Sequence, residues 1–432
     1  MMKTRTRGIG MYLAKAQRRK ERQIYMGSPR VRARVGYIRI SALALLVTVT
    51  AGNAQGRRGE MDPGSIIRSY LVSNGPQGPV HGGESAITGM ILMPDGWVYG
   101  STGATWGAAA CHLFRTDSEK TEHLLNVTSR LPGQPRVSGI AAGPGGVLVC
   151  ATTTYDEIFD DSSKKYEGGR LFTYDPATKA FMDYGIMAPG QGISCVAVDT
   201  LHTRIYGVTY PAGHLFAHDY SRKTTKDFGE VMWPWRVKDL GRVSWRGVPR
   251  VLMIDDAGTV YFSTYIKSAG GRIFRLAYGE EKPVFTGAVI PTQKGMDDDP
   301  IYENGIASAV RARDGGFWCG SINDGFLFKF HPSTSTVINK GKPFQYWNLR
   351  SLAYGGNGCL YMLGGRDYDN SWFLRYDGAS GSIDCLGWPS ATTQCGVICA
   401  DRDGNILIAE NLRNSYIYVY GKSGNAAPKI RK

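Results

Sequence analysis

The chain has 432 residues, of which 42% are hydrophobic and 20% charged, and a formal net charge of +14. That apolar fraction excludes a disordered chain, and the length is ample for a large core. The charge does not argue for nucleic acid as a partner: residues 1–54 hold twelve Lys or Arg against one acid, Glu21, so they carry +11 and leave about +3 for everything else.

Residues 1–54 read as a basic leader with a signal peptide. Arg-rich sequence precedes the apolar run Ile40 to Ala51, which is too short to span a bilayer as a helix. Gly52-Asn53-Ala54 then places small residues where a signal peptidase needs them. The first 25 residues are long for such a leader, and Met26 is an alternative start. The other reading is a basic tail followed by a short anchor. Export is expected, to the periplasm or the outside of the cell, with no membrane span in the mature protein.

Residues 55–421 read as one domain built from a repeat. A seven-residue phrase recurs about every 50 residues: GWVYGST from Gly96, GVLVCAT from Gly146, TRIYGVT from Thr203, GTVYFST from Gly258, GGFWCGS from Gly315, GCLYMLG from Gly358 and GNILIAE from Gly404. A second phrase follows each copy, as in HLFRTD from His112, RLFTYDP from Arg170, HLFAHD from His214 and RIFRLA from Arg272. An alternating or apolar run precedes the first phrase, and a short segment near Asp or Gly follows the second, as in FMDYG and TKDFG. Such a unit cannot bury its apolar face alone. Four short strands per repeat, bounded by Gly, Asp and Asn turns, predict an all-β fold: a seven-bladed β-propeller of four-stranded antiparallel blades. The last repeat lacks a fourth strand, while Ser65–Ser73 is a strand without a repeat. This N-terminal strand is expected to complete the last blade and close the ring, covering an open sheet edge. Residues 422–432 form a short polar tail.

In a propeller, the loops joining second to third strands share a face with those leading into the next blade. Three of the latter are rich in chemistry. The first holds Trp233, Trp235, Trp245, Arg246 and Arg250; the second Asp297 to Asp299, Tyr302 and Asn304; the third Trp347 and Arg350. Aromatic rings stack on the apolar faces of sugars, and Arg grips an acid group bidentately. An acidic polysaccharide or oligosaccharide is the expected partner of a monomeric protein. The residues opening the third strands, His112, Arg170, His214, Arg272, Phe326, Trp372 and Tyr416, border the same face. Tyr210 and His214 flank one tight hairpin and form a candidate acid–base pair. Asp297–Asp299 with Glu303 and Asn304 could take a calcium ion, although the EF-hand spacing is absent. No other cofactor or metal is expected. The eight cysteines match no metal module, and their pairing cannot be deduced from spacing.

The repeat, with its third-strand ending Leu171 to Thr178, resembles the quinoprotein-like and WD40-like seven-bladed propellers of exported bacterial proteins. It lacks the Trp-Asp signature of true WD40 repeats. Among enzymes on this fold it looks most like the propeller polysaccharide lyases, such as those acting on ulvan. That resemblance implies a site of His, Tyr and Arg on one face and cleavage of a uronate-containing glycan by β-elimination. Arg246 or Arg250 would neutralise the carboxylate; His214 and Tyr210 would move the protons; Trp233, Trp235, Trp245, Tyr302, Asn304, Trp347, Arg350, His112 and Arg272 would hold the sugar. The alternative is a non-catalytic platform that binds glycan or protein at the cell envelope.

Overall fold

The computed structural model describes residues 66–72, 80, 84, 86–103, 110–117, 120–154, 165–231, 248–266, 270–293, 304–322, 324–343, 348–365, 371–390, 394–411 and 415–421. All lie in the compact unit Gly56–Lys432. The leader, the polar tail, Trp233, Trp235, Trp245, Arg246, Asp297–Asp299, Tyr302 and Trp347 lie outside the described residues.

The described chain is almost wholly β, apart from short helical turns such as α1 (Val127–Arg130). Its strands come in sets of four that follow one another along the sequence. The first set is β2 (Ala86–Leu92), β3 (Val98–Gly103), β4 (His112–Thr116) and β5 (Thr121–Asn126); the second is β6 (Arg136–Ala142), β7 (Leu148–Thr153), β8 (Arg170–Tyr174) and β9 (Phe181–Ile186). The third is β10 (Gly192–Asp199), β11 (Arg204–Tyr210), β12 (His214–Asp219) and β13 (Thr224–Glu230); the fourth is β14 (Met253–Ile254), β15 (Val260–Ile266), β16 (Gly270–Leu276) and β17 (Val284–Val289). The fifth is β18 (Ile306–Arg311), β19 (Phe317–Ser321), β20 (Leu327–His331) and β21 (Thr336–Gly341); the sixth is β22 (Asn348–Tyr354), β23 (Leu360–Gly365), β24 (Trp372–Tyr376) and β25 (Ile383–Gly387). The remaining strands are β26 (Cys395–Ala400), β27 (Ile406–Glu410) and β28 (Tyr416–Tyr420), to which β1 (Ile66–Leu71) adds antiparallel along β28. Pairing gives five four-stranded antiparallel sheets and one of eight strands, in which Gly103 and Arg136 link the first two sets.

The recurring phrases explain why the sets stack. Side chains alternate across a strand, so consecutive apolar residues face opposite ways. In β8, Leu171 joins a cluster with third-set residues while Phe172 joins one with first-set residues. Leu215 and Phe216 of β12 divide in the same manner. Buried apolar side chains accordingly gather into clusters that each draw on two consecutive sets. One further cluster joins Ile87, Val98 and Phe114 of the first set to Leu407, Ala409, Ile417 and Val419 of the last strands.

In four sets the Phe of the third-strand phrase faces a small residue on its neighbour strand, whereas in the fourth set Phe274 pairs with Phe262 and the two rings stack. Gly100 pairs with Phe114, Cys150 with Phe172, Gly207 with Phe216 and Cys319 with Phe328. A Cβ on Gly100 or Gly207 would overlap the facing Phe ring. In the sixth set the partner is Leu374, and the second strand carries the larger Met362. Cys150 and Cys319 are therefore small packing residues, and all eight cysteines are free thiols.

Hydroxyls near the start of the innermost strands tie one set to the next. Ser138 donates to the Ile193 carbonyl at 2.5 Å, Ser194 to Pro249 at 2.9 Å and Ser308 to Leu349 at 2.7 Å. The Ile398 amide donates to Ser351 at 3.0 Å. At the opposite ends of the inner strands, a second-strand Tyr holds the Asp of the tight turn in the first and fourth sets. Tyr99 donates to Asp95 at 2.7 Å, and Tyr261 to Asp255 at 3.0 Å. Burial, together with these neighbouring carboxylates, pushes both phenols up to about 12.

Candidate functional site

A register shift in the outer strand brings the residue that opens a third strand against a fourth-strand side chain. In the third set the shift falls between His214 and Phe216, which faces Asp227. Gly229, at φ +86°, sits two residues beyond and donates its amide to Asp227 Oδ1 at 2.7 Å. Only glycine takes that backbone conformation without strain. The second set repeats the device with Asp183 and Gly185, at 2.8 Å.

The result is a series of side-chain pairs at matching positions. Arg170 Nη1 meets Asp183 Oδ2 at 2.6 Å, and His214 Nδ1 meets Asp227 Oδ2 at 2.9 Å. The Arg272 guanidinium lies over the Phe285 ring, 5.0 Å from its centroid. In the first set, His112 Nδ1 meets His123 Nε2 at 3.0 Å, and His112 Nε2 meets Glu84 Oε2 at 3.2 Å. Partial desolvation and the neighbouring His112 hold the His123 imidazole below its usual range.

His214 and Asp227 line a cavity of about 240 Å³ with Met187, Ala188, Gln191, Thr209, Ala212, Phe216 and Thr225. The wall is part apolar, part hydroxyl and amide, with the hydrogen-bonded His214–Asp227 pair. The imidazole is 41% exposed and the carboxylate 57%. A carboxylate on Nδ1 fixes the tautomer, because the ring then carries its proton on Nδ1 and presents the lone pair of Nε2. This is a positioned base open to a small group entering the cavity.

The expected partner of His214 is elsewhere. Tyr210 packs with Val208, Leu215 and fourth-set residues, whereas His214 shares the Phe216 face, toward the second set. The alternation of the strands puts the two on opposite faces of one sheet, so they do not form an acid–base pair. Arg250 is exposed ahead of β14 and does not line the cavity. His112 and Asn304 are fully buried, and the Asn304 side chain donates to the Pro291 carbonyl at 3.1 Å. Neither offers a surface to a sugar. Arg350, on the innermost strand β22, reaches the Gly365 carbonyl at 3.3 Å, and Arg272 is engaged with Phe285. Asp227 was not singled out from the sequence. The Asp-x-Gly spacing in the fourth strands of FMDYG and TKDFG was the available signal. Among the described residues, no group of three or more His, Cys, Asp or Glu side chains converges to hold a metal ion, and no helix is long and apolar enough to cross a membrane.

No protein-family model matches the chain, and no curated protein does. Solved structures do. Catalytically inactive virginiamycin B lyase from Staphylococcus aureus, with quinupristin, matches at 11% identity and TM-score 0.56, over 82% of this chain and 98% of that one. The WD40 β-propeller domain of Doa1 matches at 10% and 0.50, over 84% and 99%. The extracellular domain of a putative hybrid two-component system from B. thetaiotaomicron matches at 14% and 0.52, over 81% of this chain but 39% of that one. The chain folds as a β-propeller. Its neighbours thus span a lyase and a WD40 domain, and the likeness speaks to fold alone.

Proposed function

We propose that this propeller is an exported, monomeric lyase that cleaves an acidic, uronate-containing glycan by β-elimination, with His214 as its base. The observation that carries the reading is the half-exposed His214 imidazole, held at Nδ1 by Asp227 beside an open cavity. Nε2 takes the proton from the carbon next to the substrate carboxylate. The electron pair left behind forms the new carbon–carbon double bond, and the glycosidic C–O bond at the next carbon breaks. The imidazolium then returns the proton to the departing oxygen, a role that Tyr210 cannot fill from the other face. Arg246 neutralises the uronate and lowers the cost of the carbanion-like transition state. The Trp-rich connections hold the neighbouring sugars.

The same reading has seven blades, closed into a ring by β1. The apolar clusters support it: consecutive sets pack in turn, and one cluster draws on the first set and the last strands. A second reading, the non-catalytic platform, is favoured by one observation. Pairs at the His214–Asp227 position recur as Arg170–Asp183 and Arg272–Phe285, which suits a structural staple. Incubation with a panel of acidic polysaccharides separates the two. New ultraviolet absorbance from an unsaturated uronate supports the lyase; tight binding to one glycan without that absorbance supports the platform.

A further inference from the structure

The pairing at the third-strand position breaks its own pattern in the first set. The second and third sets place a base against a carboxylate, Arg170 on Asp183 and His214 on Asp227. The first set places two imidazoles edge-on to one another, with His112 Nδ1 and His123 Nε2 3.0 Å apart and the ring planes inclined at 62°. Two basic groups in that position repel as soon as both carry a proton. They share a cation without conflict.

The geometry points to a transition-metal site, with Zn²⁺ as its ion, held by His112 Nδ1 and His123 Nε2 and completed by water. Two imidazole nitrogens each ~2.0–2.1 Å from a zinc ion and 3.0 Å from one another subtend roughly 95° at the metal, so tetrahedral coordination asks the rings to part slightly and turn their lone pairs toward the ion. The far nitrogen of His112 already faces Glu84 Oε2 at 3.2 Å. A ligating histidine commonly donates its other N–H to a carboxylate, which fixes the tautomer and raises the basicity of the ligating nitrogen. Glu84 would do this here: with Nε2 protonated toward the carboxylate, Nδ1 presents a lone pair toward His123. His112 is buried and rigidly placed at the start of β4, whereas His123 stands exposed on the outer strand β5. One ligand is thus preorganised, and the open side admits the ion and its waters. Imidazole donors with water suit zinc and its first-row neighbours better than calcium or magnesium, which take oxygen. The site is separate from His214 and does not depend on the lyase reading.

The test is calorimetric titration of the metal-stripped full chain with Zn²⁺, and with Co²⁺ to follow the ligand-field absorption. One ion per chain is expected, with a rise in Tm at saturating Zn²⁺. His123→Ala should abolish both the stoichiometric binding and the Tm rise while melting like the parent in EDTA. Glu84→Gln should weaken binding by about 10- to 100-fold, as loss of an outer-shell carboxylate does. His214→Ala should bind like the parent. Absence of stoichiometric binding by the parent, or binding that survives His123→Ala, overturns the assignment.

Discussion

Deleting residues 62–74 removes β1, and with it the partner of β28. Five residue pairs are lost along that edge, together with the Val72 amide bond to the Ser415 carbonyl at 3.0 Å. At roughly 0.5–1.5 kcal/mol net per hydrogen bond, about five bonds amount to ~3–7 kcal/mol. Val72, 3% exposed, adds about 1.5–3 kcal/mol of apolar burial. Ordering the strand costs ~1–2 kcal/mol per residue and offsets a gain of that size, so the loss comes from what β1 leaves behind in a domain held by only ~5–15 kcal/mol. Ile417 and Val419, buried beneath the joint, would also be uncovered, and the bare β28 edge invites aggregation. Scanning calorimetry should show one cooperative transition lowered on the order of 10 °C. Deletion of 422–432 is the control and should leave the transition in place. If the chain without β1 melts within about 2 °C of the parent, again in one transition, the strand is an ornament and the ring does not depend on it.

Other changes probe the packing and the turns. Gly207→Ala should cost about 1–3 kcal/mol in denaturant unfolding because its methyl meets the Phe216 ring; adding Phe216→Leu should recover much of it, as the Met362–Leu374 pair does naturally. Ser138→Ala removes bonds to the Ile193 and Ala151 carbonyls and should cost about 1–2 kcal/mol by the same measurement. Tyr99 and Tyr261 have phenols raised from 10.0 to about 12. Their contribution is therefore complete below about pH 10 and is lost as pH rises through about 12, so Tm should fall across that window. Asp95→Asn should blunt the fall; an unchanged alkaline profile would contradict the assigned cause.

The sheets were legible because they repeat. The phrase at Gly96 and its six relatives mark the second strands, and the Leu-Phe phrases mark the third, because alternation and tight Gly turns are local properties. The clamp of Tyr99 on Asp95 and the facing of Gly100 by Phe114 were not read. They depend on register, which the sequence encodes only when strands are aligned against one another. The site was legible in part. His214 was visible as the opening residue of a strand, but its face was not weighed, and that face separates it from Tyr210. Asp227 went unseen because the bulge that brings it to His214 lies one strand away. His112 looked like a surface residue of the same series, yet Glu84 and His123 draw it inside.

The most direct test of the functional account is the rate of unsaturated-uronate formation by His214→Ala and Asp227→Asn beside the parent on whichever acidic glycan the parent cleaves. General-base catalysis is worth about 10²–10⁴-fold, so His214→Ala should lose at least ~100-fold in kcat with its fold intact, and Asp227→Asn a smaller amount that grows as the imidazole loses its orientation. A parent that cleaves no acidic glycan, or a His214→Ala protein that keeps the parent rate, would contradict the account.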